Sequence, residues 1–294
     1  MRRDPSPRGS VIAAAINPLL QTQLDEKRVE AMIDERLKAI GTQRVEIVLP
    51  TSDTRNMGRQ HTMFPLLVKF LGLRLNVYLK GPAGSGKTTA VEKAAEALGL
   101  PFYCQSMGPQ TSPANLLGYM DANGHYVPGL LFKPFTEGGV VGIDEIDNSN
   151  PGVLTVLNSA LANGYCSFPC GMMPKHKDFI VVACGNTFGK GADSLYVGRV
   201  QLDAATLDRF VGLDWDYDEP FELEMVGEDQ HWTLYVQRLR AAAMRLKMRV
   251  ILSPRASVAG AKALRAGIDR ATVEQAVLWS GVATDDRQKI LANV

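Results

Sequence analysis

Gly81-Pro82-Ala83-Gly84-Ser85-Gly86-Lys87-Thr88 follows an apolar run, Leu75–Leu79, and opens a helix-like stretch from Lys87 to Leu98. The spacing is G-x-x-x-x-G-K-[ST], set between a strand and a helix. Each residue type has a chemical reason. Glycines let the main chain wrap closely, so that successive N–H groups point at phosphate oxygens, and the helix starting at Lys87 adds its positive end. Lys87 is placed to reach β- and γ-phosphates, and the Thr88 hydroxyl to ligate Mg²⁺. The candidate nucleotide-binding set here is Gly81, Pro82, Ala83, Gly84, Ser85, Gly86, Lys87, Thr88 and Thr89.

Downstream, strands and helices alternate. Pro101–Ser106, Val140–Ile143, Phe179–Cys184 and a stretch near Val211–Trp215 read as strands; Pro151–Ala162 and Leu202–Arg209 read as helices. That alternation predicts an α/β fold with a parallel sheet covered on both faces. The strand Val140–Ile143 ends in Asp144-Glu145. Behind a phosphate-binding loop, Asp144 is expected to hold Mg²⁺ through water and Glu145 to orient and polarise the attacking water. After about Glu219 the strand signal stops, and 228–247, 254–267 and 270–281 read as helices, which places a boundary near Asp218.

Upstream, Leu24, Val29, Ile33, Leu37 and Ile40 recur at helical spacing over 21–40, with Gly41 as the stop. Arg44–Pro50 alternates like a short strand, Thr51–Gln60 is polar and reads as a loop, and His61–Leu71 reads as a helix. The expected organisation is a disordered basic tail (1–18), a helix and strand extension (19–60), an α/β core (61–218) and a helical segment (219–294).

Lys and Arg number 32 against 31 Asp and Glu, so the balance demands neither nucleic acid nor an acidic membrane. The local basic excesses are Arg2-Arg3-Arg8, Lys175-His176-Lys177 and the helix carrying Arg238, Arg240, Arg245, Lys247 and Arg249. That helix could line an outer surface or meet Glu222, Glu224 and Glu228 of a neighbouring subunit. The apolar run Val11–Ile16 is too short to span a bilayer, and a cytoplasmic protein is expected. Cys166, Cys170 and His176 lack a strong metal spacing and a fourth ligand; Tyr165–Lys177 reads instead as a hairpin. Cys104 and Cys184 are expected in the core, His61 and His125 as structural or exposed, and Trp215, Trp232 and Trp279 as packing residues.

The loop at 81–88, Asp144-Glu145-Ile146-Asp147 and Asn186 after the strand Phe179–Cys184 together resemble an AAA+ ATPase. Tyr119–Leu131 is similar to the hairpin insert of the MoxR and dynein-related branch, Ala205–Phe210 to its arginine-finger segment, and Leu252–Ala256 to the start of its sensor-2 helix. Within the branch, Gly191–Asp193 through Gly198-Arg199 to Asp208–Phe210 looks most like the small-subunit ATPases of cobalt chelatases and their phage relatives. The resemblance covers roughly 60–285. It implies a P-loop core with strand order 5-1-4-3-2, a helical lid from 219, and a ring of identical subunits, six in number. It implies Asn186 as sensor 1, Arg209 as the finger reaching a neighbour's site with Arg199 as the competing candidate, and Arg255 as sensor 2. ATP and Mg²⁺ are the implied ligands. The implied work is remodelling of a protein partner, often one with a von Willebrand-like domain. The alternatives are a nucleic-acid-associated motor and an ATP-gated structural ring.

Overall fold

The computed structural model describes residues 44–48, 54–193, 195–227 and 230–294; the expected tail at 1–18 and helix at 21–40 lie outside these. Five strands, β1 (Val77–Lys80), β2 (Phe102–Ser106), β3 (Gly139–Asp144), β4 (Phe179–Gly185) and β5 (Val211–Asp214), form one parallel sheet in the order β5-β1-β4-β3-β2. The parallel sheet and its order are as expected.

Burial explains why these runs are strands. Every residue of β4 is buried, and its side chains alternate between two cores. Ile180, Val182 and Cys184 pack with Val77 and Leu79 under α1 (Phe64–Gly72) and α2 (Lys87–Leu98). Phe179, Val181 and Ala183 pack with Tyr78, Val141 and Ile143 under α3 (Pro151–Ala162). A strand buried on both faces must be apolar throughout, which is how these runs read. Edge strand β2 departs from expectation: Cys104 is exposed, because β2 pairs on one side only. Cys184, in the central strand, is buried.

Antiparallel pairs decorate the sheet. Tyr119–Met120 pairs with Tyr126–Val127, and Tyr165–Phe168 with Gly171–Pro174, giving the two expected hairpins. Thr54–Arg59, expected as loop, pairs with Arg44–Val48. Its polarity hid a strand because main-chain pairing does not require apolar side chains.

Beyond β5 the chain is helical. α4 (Glu219–Val226), α5 (Gln230–Arg245) and α6 (Pro254–Arg265) share a core of Val226, Trp232, Val236, Leu239, Leu252 and Ala261, which the C-terminal Trp279 and Ile290 complete. The helical spacing missed α4. Its signal is a cap: Asp218 accepts from Phe221 N at 3.0 Å, with Pro220 in the first turn.

Fully buried Glu222 ties the three helices together. Arg240 of α5 donates to it through both terminal nitrogens, at 2.8 and 2.7 Å, and the Ser257 hydroxyl of α6 donates as well. Arg240 is thus satisfied within its own chain, and the basic helix loses its central charge as an outward-facing group. Glu222→Ala leaves the buried guanidinium without its bidentate partner, with only the more distant Glu219 Oε1, at 3.8 Å, as a carboxylate. Such losses cost about 3–5 kcal/mol, or a Tm lower by roughly 6–20 °C for a chain of this class. Thermal unfolding followed by circular dichroism checks this, and an unchanged Tm contradicts it.

Candidate functional site

The carboxyl ends of β1, β3 and β4 lie side by side, so the loops that follow them meet, as in other open parallel sheets. After β1 comes the turn 81–86, then α2. A side chain at Gly81 would put Cβ 1.9 Å from Trp215 O, and Gly84 has φ +78° with Ser253 Oγ 2.6 Å from its virtual Cβ. Both positions need glycine, for close approach and for left-handed backbone. The first N–H groups of α2 have no intrahelical acceptor. They open a cleft of about 630 Å³ lined by Gly84 through Ala90, Asp144, Glu145, Asn186 and Arg255.

Lys87 is buried, and its ammonium donates to Gly81 O (2.7 Å), Pro82 O (2.9 Å) and Asn186 Oδ1 (3.2 Å). All three acceptors are neutral. Burial pushes the ammonium pKa below its ordinary value, Arg255 adds to this, and Cys184, Asp144 and Asp147 oppose it. A phosphate would supply the missing countercharge. Thr88 Oγ1 donates to Asp144 Oδ2 at 2.8 Å, so a hydroxyl and a carboxylate oxygen stand together. Two adjacent hard oxygens on a phosphate-facing wall fit Mg²⁺, which keeps most of its waters and takes one or two protein ligands.

Glu145 lies one residue beyond β3 with φ +53°, a left-handed conformation uncommon outside glycine. Its N–H donates to Asp144 Oδ1 at 2.9 Å. The turn aims its half-exposed side chain into the cleft. Asn186 follows β4. Its position is held by fully buried Asp147, whose Oδ2 accepts from Asn186 N (3.0 Å), Thr187 N (2.9 Å) and Thr187 Oγ1 (2.9 Å). Asp147 thus ties the loop after β3 to the loop after β4. Its place in the run Asp144–Asp147 does not announce this role.

Three aromatic residues grip the phosphate-binding loop. Trp215 Nε1 donates to Ser85 O (3.1 Å), Tyr217 Oη to Ala83 O (2.8 Å), and Ala83 N donates to Tyr196 Oη (2.9 Å). Trp215 therefore packs the core, as expected, and also orders the loop. His61 stacks on it, ring centroids 4.1 Å apart. His61 Nδ1 accepts from Met63 N (3.1 Å), so Nε2 carries the proton and donates to Asp216 O (2.8 Å). Both rings line the cleft, with Phe221, Met225 and Val258 forming an apolar end. No local spacing announces these residues, which converge from three separate segments.

Arg255 is exposed near the start of α6 and lines the cleft beside Gly84 of the loop, whose virtual Cβ lies 3.6 Å from Arg255 Cδ. Arg209 does not line it. Its Nη1 donates to Ala205 O of its own short helix, Ala204–Leu207, and its buried Nε has no partner. Arg199 does not line the cleft either, but it pairs with two acids of the loop after β3, 3.4 Å from Glu145 Oε1 and 3.3 Å from Asp147 Oδ1.

Residues 76–210 match the AAA domain of the dynein-related subfamily. An uncharacterised protein of Staphylococcus aureus (strain USA300) is 31% identical over 183 residues, 58% of this chain and 66% of that protein. One from Staphylococcus saprophyticus is 28% identical over 180 residues, 56% of this chain and 65% of that protein. The chain thus spans just under two thirds of the length of the curated relatives it matches. Among solved structures, a RuvB variant from Thermotoga maritima aligns with TM-score 0.43 at 19% identity, over 78% of this chain and 66% of that one. The fold is an α/β one, a five-stranded parallel sheet with a phosphate-binding-type loop after β1, followed by helices. Among the described residues, no helix is long and apolar enough to cross a membrane.

Proposed function

We propose that this chain, whose residues 76–210 match the AAA domain of the dynein-related subfamily, hydrolyses ATP in the cleft between the sheet and the C-terminal helices. The observation that carries the reading is the meeting of Lys87, Thr88, Asp144, Glu145 and Asn186 in one cleft, from three strand ends. The loop amides and Lys87 hold the β- and γ-phosphates. Thr88 and Asp144 would hold Mg²⁺, which would neutralise phosphate charge. Glu145 accepts a proton from water and aligns it on the γ-phosphorus, and Asn186 holds that water or the γ-phosphate. The stacked His61 and Trp215 with the apolar end receive the base. Arg255, at the start of α6 and on the cleft wall, closes on the phosphates.

In this reading the subunits form a ring, six by family resemblance, and Arg209 enters the neighbour's cleft. Its absence from the cleft lining supports that role, and the pairing of Arg199 with Glu145 and Asp147 of its own chain supports Arg209 over Arg199 as the finger. The ring would remodel a protein partner in the manner of chelatase or MoxR machines, a von Willebrand-like domain being one candidate. Nucleic acid is the weaker partner, since the inward turn of Arg240 thins the basic helix.

Titration calorimetry with ATP and Mg²⁺ tests the site. Lys87→Ala removes charge-assisted bonds worth about 1.5–3 kcal/mol, so the Kd rises roughly 10- to 100-fold. Equal affinity in the two proteins would refute the assignment.

A further inference from the structure

Two residues of the segment after Asn186 are anchored to the loops of the site. Tyr196 Oη accepts from Ala83 N of the phosphate-binding loop, and Val200 N donates to Asp147 O at 2.7 Å. Arg199 lies between these two anchors. Its side chain is only 12% exposed, and its guanidinium lies between two carboxylates of the loop after β3, Glu145 and Asp147. Asp147 cannot move to follow it, because its other oxygen already takes three donors. The contact is also imperfect. Arg199 Nη1 and Asp147 Oδ1 are both buried and lie 3.3 Å apart, yet neither has a hydrogen bond of good geometry. Arg199 Nη2 meanwhile donates to Glu145 Oε1 at 3.4 Å, so of the two carboxylate contacts the one to Glu145 carries the hydrogen bond, a long one.

We propose that Arg199 is a positioning residue that holds Glu145 back within its own subunit, so that the carboxylate is freed for water only when this ion pair opens. The proposal rests on the reading of Glu145 as the water-activating group. The physical reason is competition. The guanidinium takes one acceptor position of Glu145 Oε1 and tethers the carboxylate on the Arg199 side while the pair holds. The hold is weak enough to release, since Glu145 is half-exposed and the contact, at 3.4 Å, is long.

Two measurements test it on the full chain. The first needs no nucleotide: a double-mutant cycle of Arg199→Gln and Glu145→Gln in chemical unfolding. Glutamine can still donate to Asp147, so the first variant is expected to fold. A non-additive pair is expected, and additive effects would overturn the hold. The second is steady-state hydrolysis. Arg199→Gln should raise kcat roughly twofold to tenfold with KM for ATP little changed, the range of a part-exposed ion pair. Arg199→Lys, which restores the charge, should fall between. A kcat that drops in Arg199→Gln, or a KM that rises with it, would overturn the proposal and make Arg199 a phosphate ligand. Should the wild-type chain show no hydrolysis at all, the ATPase reading fails, and the nucleotide-free cycle alone decides the pairing.

Discussion

Glu145→Gln is expected to lower kcat for ATP by about 10²–10⁴-fold, the usual contribution of a positioned general base, with ATP affinity nearly unchanged. Glutamine keeps the length and shape of the side chain, and the left-handed backbone at this position is unaffected by it. What goes is the carboxylate that accepts the proton from water. Lys87, Thr88 and Asp144 remain to hold phosphates and metal, and none of them depends on Glu145 for its hydrogen bonds. Binding and turnover should therefore separate, in contrast to Lys87→Ala. Phosphate release under saturating ATP, beside calorimetry for Kd, makes the comparison. A rate near wild type would remove Glu145 from the chemistry and leave the left-handed turn after β3 without a function.

Arg209→Ala is expected to lose about 10³–10⁵-fold in hydrolysis, the measured range for arginine fingers. The group lies outside its own subunit's cleft, so the loss depends on a neighbour. That gives a sharper test than either single variant. An Arg209→Ala subunit keeps a complete Glu145 site but offers no finger. A Glu145→Gln subunit has a dead site but offers an intact finger. Mixed, the two inactive proteins should recover a measurable fraction of activity at their shared interfaces. If the mixture stays inactive while light scattering shows co-assembly, the finger is not Arg209. If the protein stays monomeric at every ATP concentration, the ring itself is refuted.

The local sequence determined a good deal of this protein. The loop Gly81–Thr88 and the acids Asp144-Glu145 are contiguous, and their chemistry depends on main-chain proximity, so spacing alone exposed them. The α2 limits, Lys87–Leu98, were readable for the same reason: a glycine turn starts the helix and Gly99 ends it. The parallel sheet was readable because strands buried on both faces are apolar throughout. Strand order, by contrast, came from family resemblance, since periodicity says nothing of which strand is whose neighbour. The Thr54–Arg59 strand and α4 were missed where polar side chains masked main-chain pairing and where a cap, not a stripe, marks the helix. Cys104 was misplaced because an apolar run does not say whether its strand sits in the middle or at the edge. Only the tertiary structure decided that Asp147 joins two loops, that His61, Trp215, Tyr196 and Tyr217 converge on one turn, that Arg240 faces Glu222, and that Arg199 reaches Glu145. Each of these pairs residues distant in sequence. Such contacts exist only once the sheet has set its strand ends side by side, and no local pattern of residues encodes them.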